Sequence, residues 1–364
     1  MTYTIQSGKV NHLHYRNDRA IGRWLFVCAA MVFIMIVIGG ITRLTESGLS
    51  IVYWRPVTGF LPPLTGAAWL EAFEAYRNSP QYLQINAGMT IAEFRTIFWW
   101  EYIHRAWGRL IGLAFFLPFV WFLVRGRLRR DLVPRLTWLF LLGGAQGFLG
   151  WYMVRSGLVD VPEVSQYRLA AHLSLAFLIY TTLIWTGLSL TYPVSQIAKD
   201  RIALRALRSA LGVLLLIAAT ILSGSFVAGT DAGLTYNSFP LMDGSIFPPG
   251  YFDSPAAPFE DHGTIQFHHR LLAMASLIGV GGLWWQSRWL ELASRTRVVA
   301  NMLLLVALAQ VVLGITTLVL AVPVHVAVTH QAGAVLLFTM ILWFFYDLRS
   351  ACSNVQDGDR SALQ

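Results

Sequence analysis

The sequence predicts an all-α polytopic membrane protein, with eight transmembrane helices arranged as two pseudo-symmetric four-helix bundles. Three observations carry this expectation. Hydrophobic residues make up 56% of the 364 and charged residues only 13%, well below the roughly 25% charged share of soluble domains. Long uncharged runs recur, each close to the about 20 apolar residues that a helix needs to cross a ~30 Å hydrocarbon layer. A set of short motifs in the first half also returns, in the same order, in the second.

The elements follow in order. Residues 1–20 form a polar tail leading into an apolar run without a small-residue cleavage site. Neither a removed signal peptide nor an Arg/Ser-rich transit peptide is therefore expected. Span one is Trp24 to Thr42, free of charge and ending in GGIT. An outer segment, residues 43–100, begins with turn residues (Gly48, Pro56, Gly59, Pro62, Pro63). Its later part, residues 64–99, interleaves acidic and aromatic side chains and is expected to lie at the membrane interface. Span two runs from Tyr102 to Val124, span three from Leu136 to Val154, and span four from Leu169 to about Tyr192. Span five is Ser209 to Thr230; a loop with Asp231, Asp243, Asp253, Glu260 and Asp261 but no Lys or Arg follows it. Span six starts near Gln266 and stops before Arg288. Val298 to Tyr346 lacks Asp, Glu, Lys and Arg and is too long for one crossing, so Pro323 marks a turn between spans seven and eight. A tail, residues 349–364, closes the chain.

Basic residues orient these spans. Most of the 27 Lys and Arg residues fall in the N-terminal tail, the loops after spans two, four and six, and the C-terminal tail. Positively charged loops stay inside. Both termini are therefore expected in the cytoplasm and the two long segments outside, which accounts for the net charge of +8 without nucleic acid. Cys28 and Cys352 have no metal-ligand spacing and no supported pairing.

The duplication is specific. ESGLS (46–50) returns as DAGLT (231–235), His104-Arg105 as His269-Arg270, AQGFLG (145–150) as AQVVLG (309–314), and His172 as His330. Two parallel four-helix units result, residues 21–192 and 209–348, joined by a linker at 193–208. Each histidine lies early in an even-numbered span. Within a unit the two come from different helices, and facing helices of a bundle are where cofactor sites are built.

Ionisable groups inside a bilayer are expensive and point to function. Paired imidazoles from facing helices suit axial ligation of haem iron. Gly108, Gly112, Gly143, Gly144, Gly147 and Gly150 offer room for a macrocycle, although such glycines also serve plain helix contacts. Arg105, Arg109 and Arg270 are candidates to pair with propionates. Glu101 stands one turn before His104, and the corresponding residue before His269 is Gln266. One unit thus has an acid beside its ligand and the other a neutral amide, which suggests one reactive and one supporting site; an interfacial Glu101 paired with Arg105 is the plainer alternative. His12, His14, His262, His268 and His325 lack partners at ligand spacing, and Trp99 and Trp100 read as an interfacial belt.

GGITRLTESGLSIVYWRPVTGFLPP, WLEAFEAY, NSPQY, FRTIFWWEYIHRAWGR, QFHHR and THQAGA resemble the haem A synthase family, in its mitochondrial and alphaproteobacterial-type branch. The likeness runs along nearly the whole chain. It implies oxidation of a ring methyl of haem O to a formyl group by successive hydroxylation, giving haem A for cytochrome oxidase biogenesis. It further implies that His104 and His172 flank the substrate haem, that His269 and His330 ligate a haem b, and that Glu101 is catalytic. Implied partners are a haem O supplier, the cytochrome oxidase assembly machinery and an unidentified electron donor, within membrane lipid; a homo-oligomer is compatible. A bacterial inner membrane is the expected location. The alternatives are a dihaem b-type electron-transfer protein and a structural assembly factor.

Overall fold

The computed structural model describes residues 3–53, 59–158, 162–192, 201–251 and 257–353. Among them regular structure is helical: α1 (Tyr3–Leu44), α2 (Gly66–Arg77), α3 (Pro80–Gln84), α4 (Ile91–Val124), α5 (Leu132–Ser156), α6 (Gln166–Thr191), α7 (Arg201–Gly229), α8 (Ala257–Glu260), α9 (His262–Ser287), α10 (Ser294–Val319) and α11 (Val324–Ser353). Seven of these are long and apolar enough to cross a membrane, within α1, α4, α5, α6, α7, α10 and α11. The chain is a multi-pass membrane protein.

The expected sixth span is α9. Its 26 residues give about 39 Å of helix at 1.5 Å per residue, enough to cross. Its apolar stretch is shorter than the others because His268, His269 and Arg270 occupy one end and Gln286 the other. Polar side chains near the ends of a span are where an enclosed site or the interface can accommodate them.

The start of span two also differs from expectation. Rather than beginning near Tyr102, α4 begins at Ile91, where Thr90 and Glu93 form a reciprocal capping box. The Glu93 carboxylate accepts from the Thr90 backbone N–H at 2.8 Å, and the Thr90 hydroxyl accepts from the Glu93 N–H at 3.4 Å. This pairing satisfies donors that a helix start leaves open. Glu101 and His104 consequently sit within a continuous helix, not in its opening turns. The preceding α2 is capped by Thr65, whose hydroxyl accepts from the Ala68 N–H at 3.2 Å. It packs back on α4 through an aromatic cluster of Trp69, Tyr76, Phe94 and Phe98. Trp69 meets Phe98 edge-on, with ring centroids 4.9 Å apart. Residues 64–99 thus fold with a small core of their own against the extension of α4.

Contacts divide the chain into two compact units. One comprises residues 27–180 with 228–230, and the other residues 1–26, 181–227 and 231–364. In the first, α4 and α5 leave most of their spans uncovered, with Leu117, Trp138 and Phe148 outward, as lipid-facing surfaces do. In the second, α10 and α11 pack along their length, burying Leu303, Ala307, Val335, Ile341 and Phe344. Asp347, buried on α11, accepts from Arg295 and from the Thr296 hydroxyl of α10, each at 2.7 Å.

The duplicated ESGLS and DAGLT motifs have the same backbone. Glu46 (φ 52°, ψ 28°) and Asp231 (φ 54°, ψ 22°) both turn left-handed, and each starts one turn of 3-10 helix, Ser47–Leu49 and Ala232–Leu234. Aspartate is among the non-glycine residues that adopt this conformation most often, while Glu46 holds it without that preference. Between α10 and α11 the turn includes Ala321 and Val322, both at φ 57°, just before Pro323.

Candidate functional site

In the first unit α4 presents His104 and α6 presents His172, and the two imidazoles are close enough to interact electrostatically. In the second unit α9 presents His269 and α11 presents His330, again within electrostatic reach. All four residues are half-buried among the helices. The sequence motifs therefore come together as two pairs.

Each ring rests on a glycine of the preceding span. A Cβ on Gly39 of α1 would stand 3.2 Å from Cε1 of His104, and one on Gly150 of α5 would stand 3.0 Å from Cε1 of His172. The corresponding distances are 3.1 Å from Gly224 of α7 to His269 and 2.9 Å from Gly314 of α10 to His330. The glycines permit a close approach of backbone and ring that a side chain would obstruct. Of the glycines expected to make room, only Gly150 serves as such a seat. Gly108 faces Met35, while Gly112, Gly143, Gly144 and Gly147 have open space where a Cβ would lie. Gly39 and Gly224 were not singled out by the sequence, although both precede a duplicated acid-turn motif by the same interval.

Two glutamines from the repeated motifs brace the later histidine of each pair. Gln146 donates through Nε2 to the His172 carbonyl at 3.0 Å and stands 3.3 Å from its ring Nε2. Gln310 donates through Nε2 to the His330 carbonyl at 2.7 Å and lies 3.1 Å from its Nδ1. Among the earlier histidines, His269 has its Nδ1 2.8 Å from the Ser223 hydroxyl, whereas the buried Nδ1 of His104 has no hydrogen-bond partner.

Glu101 is 3% exposed and fully engaged. Its Oε1 accepts from Arg105 at 2.6 Å; its Oε2 accepts from the Ser50 hydroxyl at 2.7 Å and the Ile51 N–H at 2.6 Å. Arg105 also donates to the carbonyls of Ile51, at 2.9 Å, and Tyr53, at 3.4 Å. Glu101 and Arg105 thus clamp the chain that follows the first acid-turn motif onto α4. The same clamp recurs with an amide in the second unit: Gln266 donates to the Tyr236 carbonyl at 3.1 Å and accepts from Arg270 at 3.2 Å. Arg270 also reaches the carbonyls of Tyr236 and Ser238. Both Arg105 and Arg270 are committed to backbone carbonyls, while the Arg109 guanidinium stacks over Phe60 with its carbon 5.1 Å from the ring centre. Arg105 further lines a cavity of about 300 Å³ with Val52, Trp151, Val154, Arg155 and Leu158. The structure adds Ser50 to the carboxylate's surroundings; Arg105 was expected there as the plainer reading of Glu101.

Of the remaining histidines, the side chains of His12 and His14 lie outside the described residues. Tyr251 lies 3.0 Å from Nε2 of His268, while His262 and His325 are exposed. Among the described residues no group of three His, Cys, Asp or Glu side chains could hold a bare metal ion. A macrocycle-borne iron needs only two axial ligands from the protein. Paired imidazoles with glycine seats behind them fit such a group, whereas Gly112, Gly143, Gly144 and Gly147 are exposed.

A sequence model of COX15-CtaA, described as cytochrome oxidase assembly protein, matches residues 22–342. A protein of Nitrosospira multiformis named Heme A synthase is 50% identical over 338 residues, covering 91% of this chain and 94% of that one. Bos taurus Heme A synthase COX15 is 46% identical over 341 residues, covering 91% and 83%. The Arabidopsis thaliana protein of that name is 44% identical over 341 residues, covering 90% and 74%.

Proposed function

This chain belongs to the COX15-CtaA family of cytochrome oxidase assembly proteins, and we propose that it is the membrane enzyme that makes haem A from haem O. Its first unit would hold the substrate haem between His104 and His172, and its second a resident haem b between His269 and His330. The observation that carries this reading is the recurrence of one construction four times: a half-buried imidazole seated on a glycine of the preceding span. A single buried histidine is easily a packing residue; a duplicated pair of pairs needs a ligand in common.

The reaction replaces C–H bonds of one methyl carbon by C–OH in successive hydroxylations, and the resulting geminal diol loses water to leave a formyl group. Bound haem would supply the redox chemistry, with dioxygen as oxidant and a membrane electron donor as reductant. The protein orients, encloses and moves protons. Helices α4 and α6 exclude bulk water while fixing two ligands. Glu101 has a hydroxyl partner in Ser50 at 2.7 Å, through which Oε2 can pass a proton towards the outer segment, and Arg105 steadies the other oxygen. Gln266 accounts for why the second unit would be supporting: an amide holds the same backbone clamp but relays no proton.

The functional units are residues 21–192 and 209–348, within a bacterial inner membrane with both termini cytoplasmic and the two long segments periplasmic. The basic loops support that orientation. The product would pass to the cytochrome oxidase assembly machinery.

Extraction of pigments from the purified full chain, with separation by mass, tests the reading. A mixture of haem O, a hydroxylated form and haem A alongside haem b is expected. Two chemically unaltered haems of one kind would favour an electron-transfer protein instead.

A further inference from the structure

We propose that hydrogen bonding behind the earlier imidazole of each pair sets a fixed ligand against an exchangeable one, with Ser223 locking His269 and Ile38 leaving His104 free to let go. This inference rests on the pairing of ligands proposed above.

The two rings occupy equivalent seats. Relative to the virtual Cβ of Gly224, His269 places Cε1 at 3.1 Å and Nδ1 at 3.6 Å; relative to that of Gly39, His104 places them at 3.2 and 3.6 Å. With the poses matching so closely, the residue just before each glycine is the variable. Before Gly224 stands Ser223, and before Gly39 stands Ile38.

Ser223 determines which nitrogen of His269 carries the proton. Its single hydroxyl hydrogen is donated to the Thr220 carbonyl at 2.8 Å, so its oxygen is left to accept from Nδ1, 2.8 Å away. The Thr220 carbonyl itself also faces the imidazole. Nδ1 is thus the N–H, and Nε2 keeps the lone pair that a metal needs. A hydrogen bond from the far nitrogen fixes ring orientation and raises ligand basicity. His104 has none of this. Its Nδ1 is buried without a partner, and Ile38, itself buried, offers no polar atom to supply one. Its tautomer and ring angle are set by packing alone.

The distinction suits the two tasks. A resident haem calls for ligands that stay. A substrate haem must enter, react and leave, and a small oxidant reaches the iron only when one axial position opens. In the first unit both His104 and His172 have a buried Nδ1 without a partner. Gln146, however, stands beside the His172 ring and holds its carbonyl, so His104 is the ligand whose departure disturbs no side-chain hydrogen bond.

The test exchanges the two residues in the full-length, haem-loaded protein. Pigment content per chain is measured first; a protein that binds no haem when all four histidines are present would overturn the ligand pairing itself. Carbon monoxide is then mixed with the reduced protein and its binding rate recorded. Wild type is expected to bind it at the first-unit haem. Ile38→Ser should slow that reaction about tenfold or more, in line with the 10- to 100-fold effects of such outer hydrogen bonds. Ser223→Ala should let the second-unit haem react at least about tenfold faster and raise its midpoint potential, because a less basic imidazole stabilises the ferric state less. Ser223→Thr, which retains the hydroxyl, should restore both properties and controls for folding. Unchanged rates in Ile38→Ser, or unchanged rate and potential in Ser223→Ala, with haem content intact, would overturn the proposal.

Discussion

Replacing Gly314 with alanine tests the glycine seats most sharply. The new methyl carbon would stand 2.9 Å from Cε1 of His330, whereas carbon atoms pack comfortably at about 3.5–4.0 Å. The ring must therefore retreat by more than about half an ångström. His330 has little freedom to do so, because Gln310 holds its carbonyl at 2.7 Å and sits 3.1 Å from its Nδ1. Overpacking of this kind costs about 1–3 kcal/mol, which converts to a roughly 5- to 150-fold loss of haem affinity in that unit. The haem-free fold meets the same clash, only partly offset by the about 0.5–1 kcal/mol by which alanine is more favourable than glycine inside a helix. The expected variant still folds and accumulates, but loses pigment from one of its two sites. Optical spectra and haem content per chain provide the assay. Full pigment with an unaltered spectrum would refute the idea that the glycine exists to seat the imidazole.

Four further outcomes follow from named contacts. Glu101→Gln can still accept from Arg105, but its amide group confronts the Ile51 N–H; one unmet buried donor costs about 1–3 kcal/mol. Haem binding should survive and haem A formation fall by about tenfold or more, each 1.36 kcal/mol of lost transition-state stabilisation being one factor of ten; full activity would remove Glu101 from the catalytic set. Trp69→Ala should loosen residues 64–99, as aromatic truncations in cores cost about 3–5 kcal/mol, and limited proteolysis of the outer segment reports the change. The Tyr76 phenol, buried between Gln81 and Asn86, has its pKa raised above the ordinary 10.0 mainly by burial. Above pH 10 the unfolded phenol therefore ionises while the folded one keeps its proton, so protection of that segment should fall only as pH rises beyond that point. Asp347→Ala frees Arg295 and Thr296 from their shared partner; about 1–3 kcal/mol is expected, below the usual cost of breaking a fully buried pair because Arg295 keeps solvent access, and thermal melting should drop without a change in the pigment ratio.

Much of this arrangement was legible before any coordinates. Hydropathy located the spans, and the order of repeated motifs placed His104 with His172 and His269 with His330. Periodicity could not locate the start of α4, because its signal lies in a polar exchange between Thr90 and Glu93 outside the apolar run. Nor could it reveal that residues 64–99 fold on themselves: interleaved aromatic and acidic residues read equally as an interfacial helix. The glycines were seen as space for a macrocycle because composition gives no direction. Their function as seats depends on which helix face meets an imidazole. Glu101 was recognised by its rarity in a membrane span, but its capture of the Ile51 N–H and the Ser50 hydroxyl is a long-range contact that spacing along α4 does not contain.

Comparison of the two units within the one chain separates scaffold from specialisation. The left-handed acid turn, the arginine reaching backbone carbonyls, the glycine under each ring and the glutamine on the later histidine recur in both. These features fix position and have no reason to differ. Two of the differences lie beside the earlier histidine of a pair: Glu101 against Gln266 and Ile38 against Ser223. In the proposed reading, one difference would give the first unit a group able to exchange a proton, and the other would withhold the hydrogen bond that fixes its ligand. Each change alone would leave an incomplete device: a proton relay beside a closed iron, or an opening iron with no acid near it. On the proposed assignment of the first unit as the reactive one, a chain carrying both Glu101→Gln and Ile38→Ser should resemble two copies of the supporting site, retaining haem while forming no haem A.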